Sequence, residues 1–319
     1  MAGGGILALS GGVGGAKLAL GLSKIVPADR LTVVANTGDD FEHLGLTICP
    51  DIDTLTYTLS GLSNTEMGWG RAGETWTFMS VLGDLGGETW FNLGDGDLAL
   101  HVERTRRLAA GESLTKVTSD VTQRLGIRVP VLPMSDDPVR TVVHTGDGDL
   151  AFQHYFVRDR CEPAVTGFSF QGIHRAKPHP RLLALLADPM LEAVVITPSN
   201  PFVSIDPILQ LPGVTEAFRA CVAPVIAVSP IVGGQAIKGP AAKMMAELGM
   251  PASALAVARH YAGLIDGFVF DQVDGAQRDE IGDLRLATLV TNTVMQSLED
   301  RVALARDVVS FAAQLRAAR

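Results

Sequence analysis

An apolar run at residues 6–9 stops at Ser10-Gly-Gly-Val-Gly-Gly-Ala-Lys17, after which Leu18, Leu22 and Ile25 recur at helical spacing until Pro27. A second β-rich run, residues 31–35, ends at Asn36-Thr-Gly-Asp-Asp40. Strand, glycine turn, helix and strand make a βαβ unit, which closes as a parallel pair with a right-handed crossover. Ligands of such sheets gather beyond the carboxyl ends of the strands.

The rest of the chain extends this pattern. Strand-like runs occur at 129–132, 193–197, 225–228 and 267–270, and polar or glycine-rich loops follow at 133–138, 198–204 and 229–240. Helical patterns cover 98–110, which is basic and amphipathic, then 182–187, 241–248 and 298–318. Such alternation predicts an α/β fold: a Rossmann-like, doubly wound, mainly parallel sheet. Residues 141–144, 150–157 and 166–170 look instead like consecutive short strands, punctuated by Gly146-Asp-Gly-Asp149 and Pro163. They predict a smaller β-containing second domain or insertion at 140–189, within a discontinuous nucleotide-binding domain of residues 1–139 and 190–319.

The 319 residues, 47% hydrophobic and 19% charged, supply a large core and exclude disorder as the main theme. With 26 Lys and Arg against 35 Asp and Glu the net charge is −9, which argues against nucleic-acid partners. Cys49, Cys161 and Cys221 are scattered and lack metal-ligand spacing, so a disulfide framework is not expected. Apolar runs are strand-sized, the N-terminus lacks a basic leader, and a cytoplasmic protein without membrane spans is expected.

Glycines between strand and helix let backbone N–H groups approach phosphate oxygens at the positive end of the helix dipole. Gly11, Gly12, Gly14 and Gly15 are the candidates. The turn is not a P-loop, since Ala16 and Leu18 replace the second glycine and the Ser/Thr of that motif; nor is it the dinucleotide fingerprint, since Lys17 stands at the third glycine. A plain tight turn is the competing reading. Lys17 tips the balance, because a cation early in a helix opposes the dipole unless an anion is bound.

Two acidic clusters follow, Gly38-Asp39-Asp40 and Cys49-Pro-Asp-Ile-Asp-Thr54. Hard oxygen ligands at this spacing suit magnesium, whereas the plain alternative makes Asp51 or Asp53 the cap of a helix over 54–59. In Pro133-Met-Ser-Asp-Asp-Pro138, Asp136 or Asp137 is either a turn former or a substrate contact. The 198–204 and 229–240 loops offer small hydroxyl and amide groups, Ser199, Asn200, Ser204 and Ser229, with Gly239 and the nearby cations Lys238 and Lys243. The seven histidines show no HxxxH or HxH ligand spacing, and most read as solvated or core positions. Trp69, Trp76, Trp90 and Phe91 either cover a flat ring system or belong to ordinary core.

Taken together, Ser10-Gly-Gly-Val-Gly-Gly-Ala-Lys17, Asn36-Thr-Gly-Asp-Asp40, Cys49-Pro-Asp-Ile-Asp-Thr54, Leu93-Gly-Asp95, Leu132-Pro-Met-Ser-Asp-Asp-Pro-Val139, Pro198-Ser-Asn-Pro201 and Val228-Ser-Pro-Ile231 with Gly239-Pro240 carry a resemblance. Over essentially its whole length the chain resembles the 2-phospho-L-lactate transferase (CofD) family of coenzyme F420 biosynthesis. The resemblance implies transfer of a phosphorylated three-carbon acid unit (2-phospholactyl, phosphoenolpyruvyl or phosphoglyceryl) from a guanosine diphospho donor to the deazaflavin Fo. GMP would leave, and the product would be F420-0 or its dehydro form. It also implies Mg2+ dependence and a homodimer.

By motif, the glycine turn and the 199–204 and 229–240 loops would hold the guanosine diphosphate. Asp53, Asn92 and Asp136 would face Fo, Asn92 standing where relatives are often basic. Asp39 and Asp53 would bind magnesium, and Asp53, Asp39 and Lys17 would act in catalysis. The competing reading is a nonenzymatic regulator of the gluconeogenesis-factor type, which binds a nucleotide or nucleotide sugar. Such relatives tend to carry a longer glycine and serine run after the paired aspartates, where this chain has Phe41-Glu-His43.

Overall fold

A computed structural model describes residues 5–319. Seven strands form the central sheet: β1 (Ile6–Ser10), β2 (Leu31–Ala35), β3 (Val131–Pro133), β4 (Ala193–Ile196), β5 (Val225–Val228), β6 (Gly267–Asp271) and β7 (Ala287–Thr291). Their spatial order is β7-β6-β5-β4-β1-β2-β3, and every pairing is parallel. From β1 the chain winds outward to β3, then returns to β4 on the other side of β1. That reversal opens a crevice at the carboxyl ends of β1 and β4. β1, β2, β4, β5 and β6 are buried at every residue, which explains their unbroken apolar runs. The edge strand β7 is only half-buried and lacks such a run, so it is not apparent in the sequence.

Five helices matter for the site: α1 (Gly12–Ile25), α2 (Pro50–Ser60), α3 (Asp95–Ala109), α4 (Ala241–Glu247) and α5 (Leu298–Ala317). α2 is longer than the expected 54–59 segment. Pro50 opens it with a preset φ, and Gly61 ends it in the left-handed region at φ 76°. Asp51 and Asp53 therefore lie inside its first turn, and neither is its N-cap, which is Cys49. α5 starts from a capping box in which Ser297 and Asp300 satisfy each other's backbone N–H groups. A further helix, Leu114–Arg124, is rich in Thr and Val; packing of Leu114, Val117 and Thr118 overrides its modest helical propensity.

In the 140–189 segment, Arg140–Thr145 pairs antiparallel with Gly148–Ala151 and with Val165–Gln171. The strand expected at 150–157 ends at Ala151 and becomes a π turn, His154–Arg158. Phe152 and Tyr155 both point into the core, a three-residue spacing that strand alternation cannot satisfy. Val143, Tyr155, Val165 and Phe170 join one continuous core with Leu7, Val34 and Ile196 of the central sheet. Among the described residues no helix is long and apolar enough to cross a membrane, and all three cysteines are free.

Candidate active site

The crevice contains a cavity of about 560 Å³, lined by the glycine turn, the acidic loops and three strand-end loops. Gly11, the extended N-cap of α1, is followed by Gly12 at φ 65°, so most of the glycine turn is the first turn of the helix itself. Gly11, Gly12 and Gly14 line the cavity. A Cβ on Gly12 would meet nothing within 4 Å, so the Cα side of this residue faces open space. Gly15, the fourth glycine expected at the ligand, does not line the cavity. It is buried beneath the turn, where a Cβ would stand 2.5 Å from the hydroxyls of both Ser10 and Ser199.

The turn is braced from two sides. Asp51 accepts the Gly12 N–H at 2.6 Å on one oxygen and the Asn36 amide at 2.9 Å on the other. Ser199 accepts the Gly11 N–H at 3.0 Å and reaches the Gly11 carbonyl at 2.7 Å. Asn200 caps the following turn through the Phe202 N–H, and Ser229 closes on Ile231. Ser199, Asn200, Ser204, Ser229 and Gly239 all line the cavity, but the hydrogen-bonding groups of Ser199 and Ser229 are engaged within the protein. With the Gly11 and Gly12 N–H groups engaged as well, the Val13 and Gly14 backbone and the lining cations face the cavity.

Lys17 also lines the cavity, in the second turn of α1, and donates to the Met295 carbonyl at 2.9 Å. Burial pulls its ammonium below the usual lysine range, and the neighbouring Arg301 and Lys238 charges pull the same way. Three cations thus meet beside the glycine turn, and the buried Nε of Arg301 has no hydrogen-bond partner. Lys243, the other sequence candidate, points elsewhere: its ammonium meets Glu247 and the Pro163 carbonyl.

Carboxylates cluster beside these loops. Asp39 and Asp53 line the cavity and are buried. Burial, then the nearby Asp51 charge, push Asp39 well above the carboxylate range; its Oδ1 is buried with no partner. Burial raises Asp51 to about 6 and Asp40 to about 8, although Asp40 lies off this cavity and the nearby Cys49 thiol opposes its rise. The guanidinium of Arg104 engages both oxygens of Asp53, with Nη1 to Oδ2 at 3.0 Å. His101 stands between Asp53 (Nδ1 at 3.7 Å) and Asp97 (Nε2 at 3.3 Å), and the Tyr57 hydroxyl donates to Asp97.

Tyr57, Asp97, His101 and Arg104 are absent from the sequence-derived site. Asp97, His101 and Arg104 recur at i, i+4 and i+7 along α3, and that polar stripe on a basic helix was the available signal. It is this polar face, with His101, Arg104 and Arg107, that α3 buries.

Asn92, Phe91 and Trp69 line the cavity, so part of the aromatic group does face the crevice. Trp90 packs instead against Phe41, His43, Phe91 and His154 at centroid distances of 4.9 to 6.0 Å, and Trp76 lies off the cavity. Asp95 holds the start of the helix Thr77–Asp84 through the Thr77 and Phe78 N–H groups. Asp136, the other residue expected at the acceptor, is exposed, outside the cavity, and accepts the Thr115 N–H at 2.7 Å in the first turn of Leu114–Arg124.

The sheet order and the switch-point crevice define a doubly wound α/β protein, and solved structures share this fold. A member of the upf0052 family from Bacillus halodurans superposes with a TM-score of 0.61 at 14% identity, covering 97% of this chain and 99% of that one. Residues 6–297 match the family model described as 2-phospho-L-lactate transferase CofD, and the chain belongs to that family of transferases. It is 40% identical over 318 residues to the phosphoenolpyruvate transferase of Streptomyces griseus, covering 98% of this chain and 99% of the relative. It is 38% identical over 304 residues to the 2-phospho-L-lactate transferase of Methanosarcina mazei, covering 95% and 99%.

Proposed function

We propose that the chain transfers a phosphorylated three-carbon acid unit from a guanosine diphospho donor to a ribityl hydroxyl of Fo, in coenzyme F420 biosynthesis, with GMP leaving. The observation that carries this reading is one cavity that joins a glycine turn and Lys17, with Arg301 and Lys238 close to it, to buried carboxylates and aromatic rings. A diphosphate suits the first group, by local neutralisation within a chain of net charge −9. A flat acceptor suits Trp69 and Phe91, with Asn92 beside them. The regulator reading loses its support because the chain's family is one of transferases.

In this mechanism the acceptor oxygen bonds to the phosphorus that carries the acid unit while the bond from phosphorus to the bridging oxygen of GMP breaks. Negative charge grows on the nonbridging and leaving oxygens, where Lys17 and the N–H groups of the glycine turn stabilise it. Asp53, held by Arg104, orients the attacking hydroxyl, whose proton passes to a carboxylate beside it, Asp53 or Asp39. Asp39, with its unpartnered oxygen, and Asp53 are the residues that would hold Mg2+, and their hard oxygen donors fit that ion. When bound, the ion supplies further neutralisation of phosphoryl charge.

Relatives of nearly equal identity carry phosphoenolpyruvate and phospholactate names, so overall likeness leaves the acid unit to experiment. Protein, Mg2+ and Fo incubated with guanosine diphospho donors of phospholactate, phosphoenolpyruvate and phosphoglycerate should yield one dominant product mass and GMP. Absence of GMP release with all three donors overturns the proposal. Sedimentation tests the homodimer that the family resemblance implies.

A further inference from the structure

Distant segments of the chain wall the cavity. Lys238, Gly239, Pro240 and Ala241 contribute one part, where the 229–240 loop enters α4. Phe152, Gln153, Phe156 and Val157 contribute another, in and beside the π turn His154–Arg158. Two side chains of α4 join these parts. Glu247 accepts the Val165 N–H at 3.0 Å with one oxygen and the Lys243 ammonium with the other. Lys243 also donates to the Pro163 carbonyl at 3.1 Å, and its ammonium lies 5.7 Å from the ring centroid of Tyr155. Tyr155 is fully buried in the turn that carries Phe156 and Val157. The same helix reaches a third part of the wall, because the Asn200 amide meets the Met244 sulfur at 3.4 Å.

An ordinary helical Lys–Glu pair at i, i+4 contributes little and holds nothing else. Here each partner also satisfies a main-chain group of the 163–165 segment, and Lys243 alone reaches on to the π turn, through the Tyr155 ring. A ligand at the 238–241 entrance to α4 acts on one end of a link whose other end is Tyr155 in the opposite wall, and by linkage any coupling between the two is reciprocal.

We propose that Lys243 and Glu247 are positioning residues that hold the 152–157 wall in register with the strand-end loops, and so couple occupancy of the donor side to affinity on the acceptor side. The identity of the two ligands rests on the function proposed above; the clamp itself does not. In the native protein GDP with Mg2+ should tighten Fo binding, read by deazaflavin fluorescence, by about fivefold or more. Glu247→Ala should bring that factor close to one and raise the KM for Fo more than it lowers kcat, and Lys243→Arg should retain the coupling. Should Glu247→Ala fail to fold, Lys243→Met serves in its place. Native protein without coupling, or a clamp variant that keeps it, overturns the proposal.

A ligand-free measurement separates the two readings. Amide hydrogen exchange over 152–157 should accelerate about tenfold in the clamp variant while β1 stays unchanged. Unchanged exchange overturns the clamp whatever binds. Native protein that binds neither GDP nor Fo overturns the functional reading, and exchange then decides the clamp alone.

Discussion

Arg104 holds Asp53 by both carboxylate oxygens, and the pair is buried at the cavity wall. A carboxylate gripped at both oxygens is held in one direction. Removing the guanidinium leaves an uncompensated buried charge, which costs about 3–5 kcal/mol. Arg104→Met should therefore lower the unfolding free energy by about that amount and kcat/KM by about 100-fold or more. Denaturant titration and steady-state kinetics check both. Near-native turnover would show that Asp53 needs no fixed orientation.

Gly15 tests whether the glycine turn is shaped by ligand or by packing. Overpacking costs about 1–3 kcal/mol, so Gly15→Ala should lose that much stability against the Ser10, Thr197 and Ser199 hydroxyls. Ser199→Ala in the same chain should recover part of it. A double-mutant cycle with no coupling between the two sites would refute the packing account.

Asp136→Ala should remove one N-terminal hydrogen bond from the helix Leu114–Arg124 and cost about 1 kcal/mol. Acceptor KM should stay within about twofold, as expected for a position outside the cavity. A large rise in that KM would return Asp136 to the acceptor site.

Stability should depend on pH through Asp206. Burial raises its carboxyl above the usual range, against the hydrogen bond and charge of His260, whose Nε2 lies 2.9 Å from Oδ1. The folded chain thus holds this proton to higher pH than the unfolded chain does. This contribution to stability is greatest below about pH 4 and falls as pH rises from there through the raised folded value. Asp206→Asn should flatten that part of the curve. Urea midpoints collected from pH 4 to 7 measure it, and an unchanged slope refutes the assignment.

The parallel sheet is legible in the sequence because its inner strands are buried on both faces, which writes continuous apolar runs such as Val225–Val228. β7 is half-buried and writes none. The glycine turn between β1 and α1 is equally legible, since a strand-to-helix turn has local residue requirements, whereas the place of Asp51 beneath Gly12 rests on a contact thirty-nine residues away. Arg104 and His101 are marked only by a polar stripe on their helix: their meaning arises from contact with Asp53, some fifty residues away, and that of Asp97 from contact with His101 and Tyr57. Likewise no local pattern distinguishes Gly12, which faces open space, from Gly15, which faces three hydroxyls.

The brace beneath the glycine turn also restricts how this chain can diverge. Gly11 and Gly15 fit against Ser204, Ser199 and Thr197, which enter the sequence nearly two hundred residues later. A change to bulk at either glycine requires a matching loss of volume in the later loop. Descendants of this chain should therefore alter the two segments as a pair, and a chimera that exchanges only residues 1–139 between distant relatives should fold poorly unless residues 197–204 travel with them.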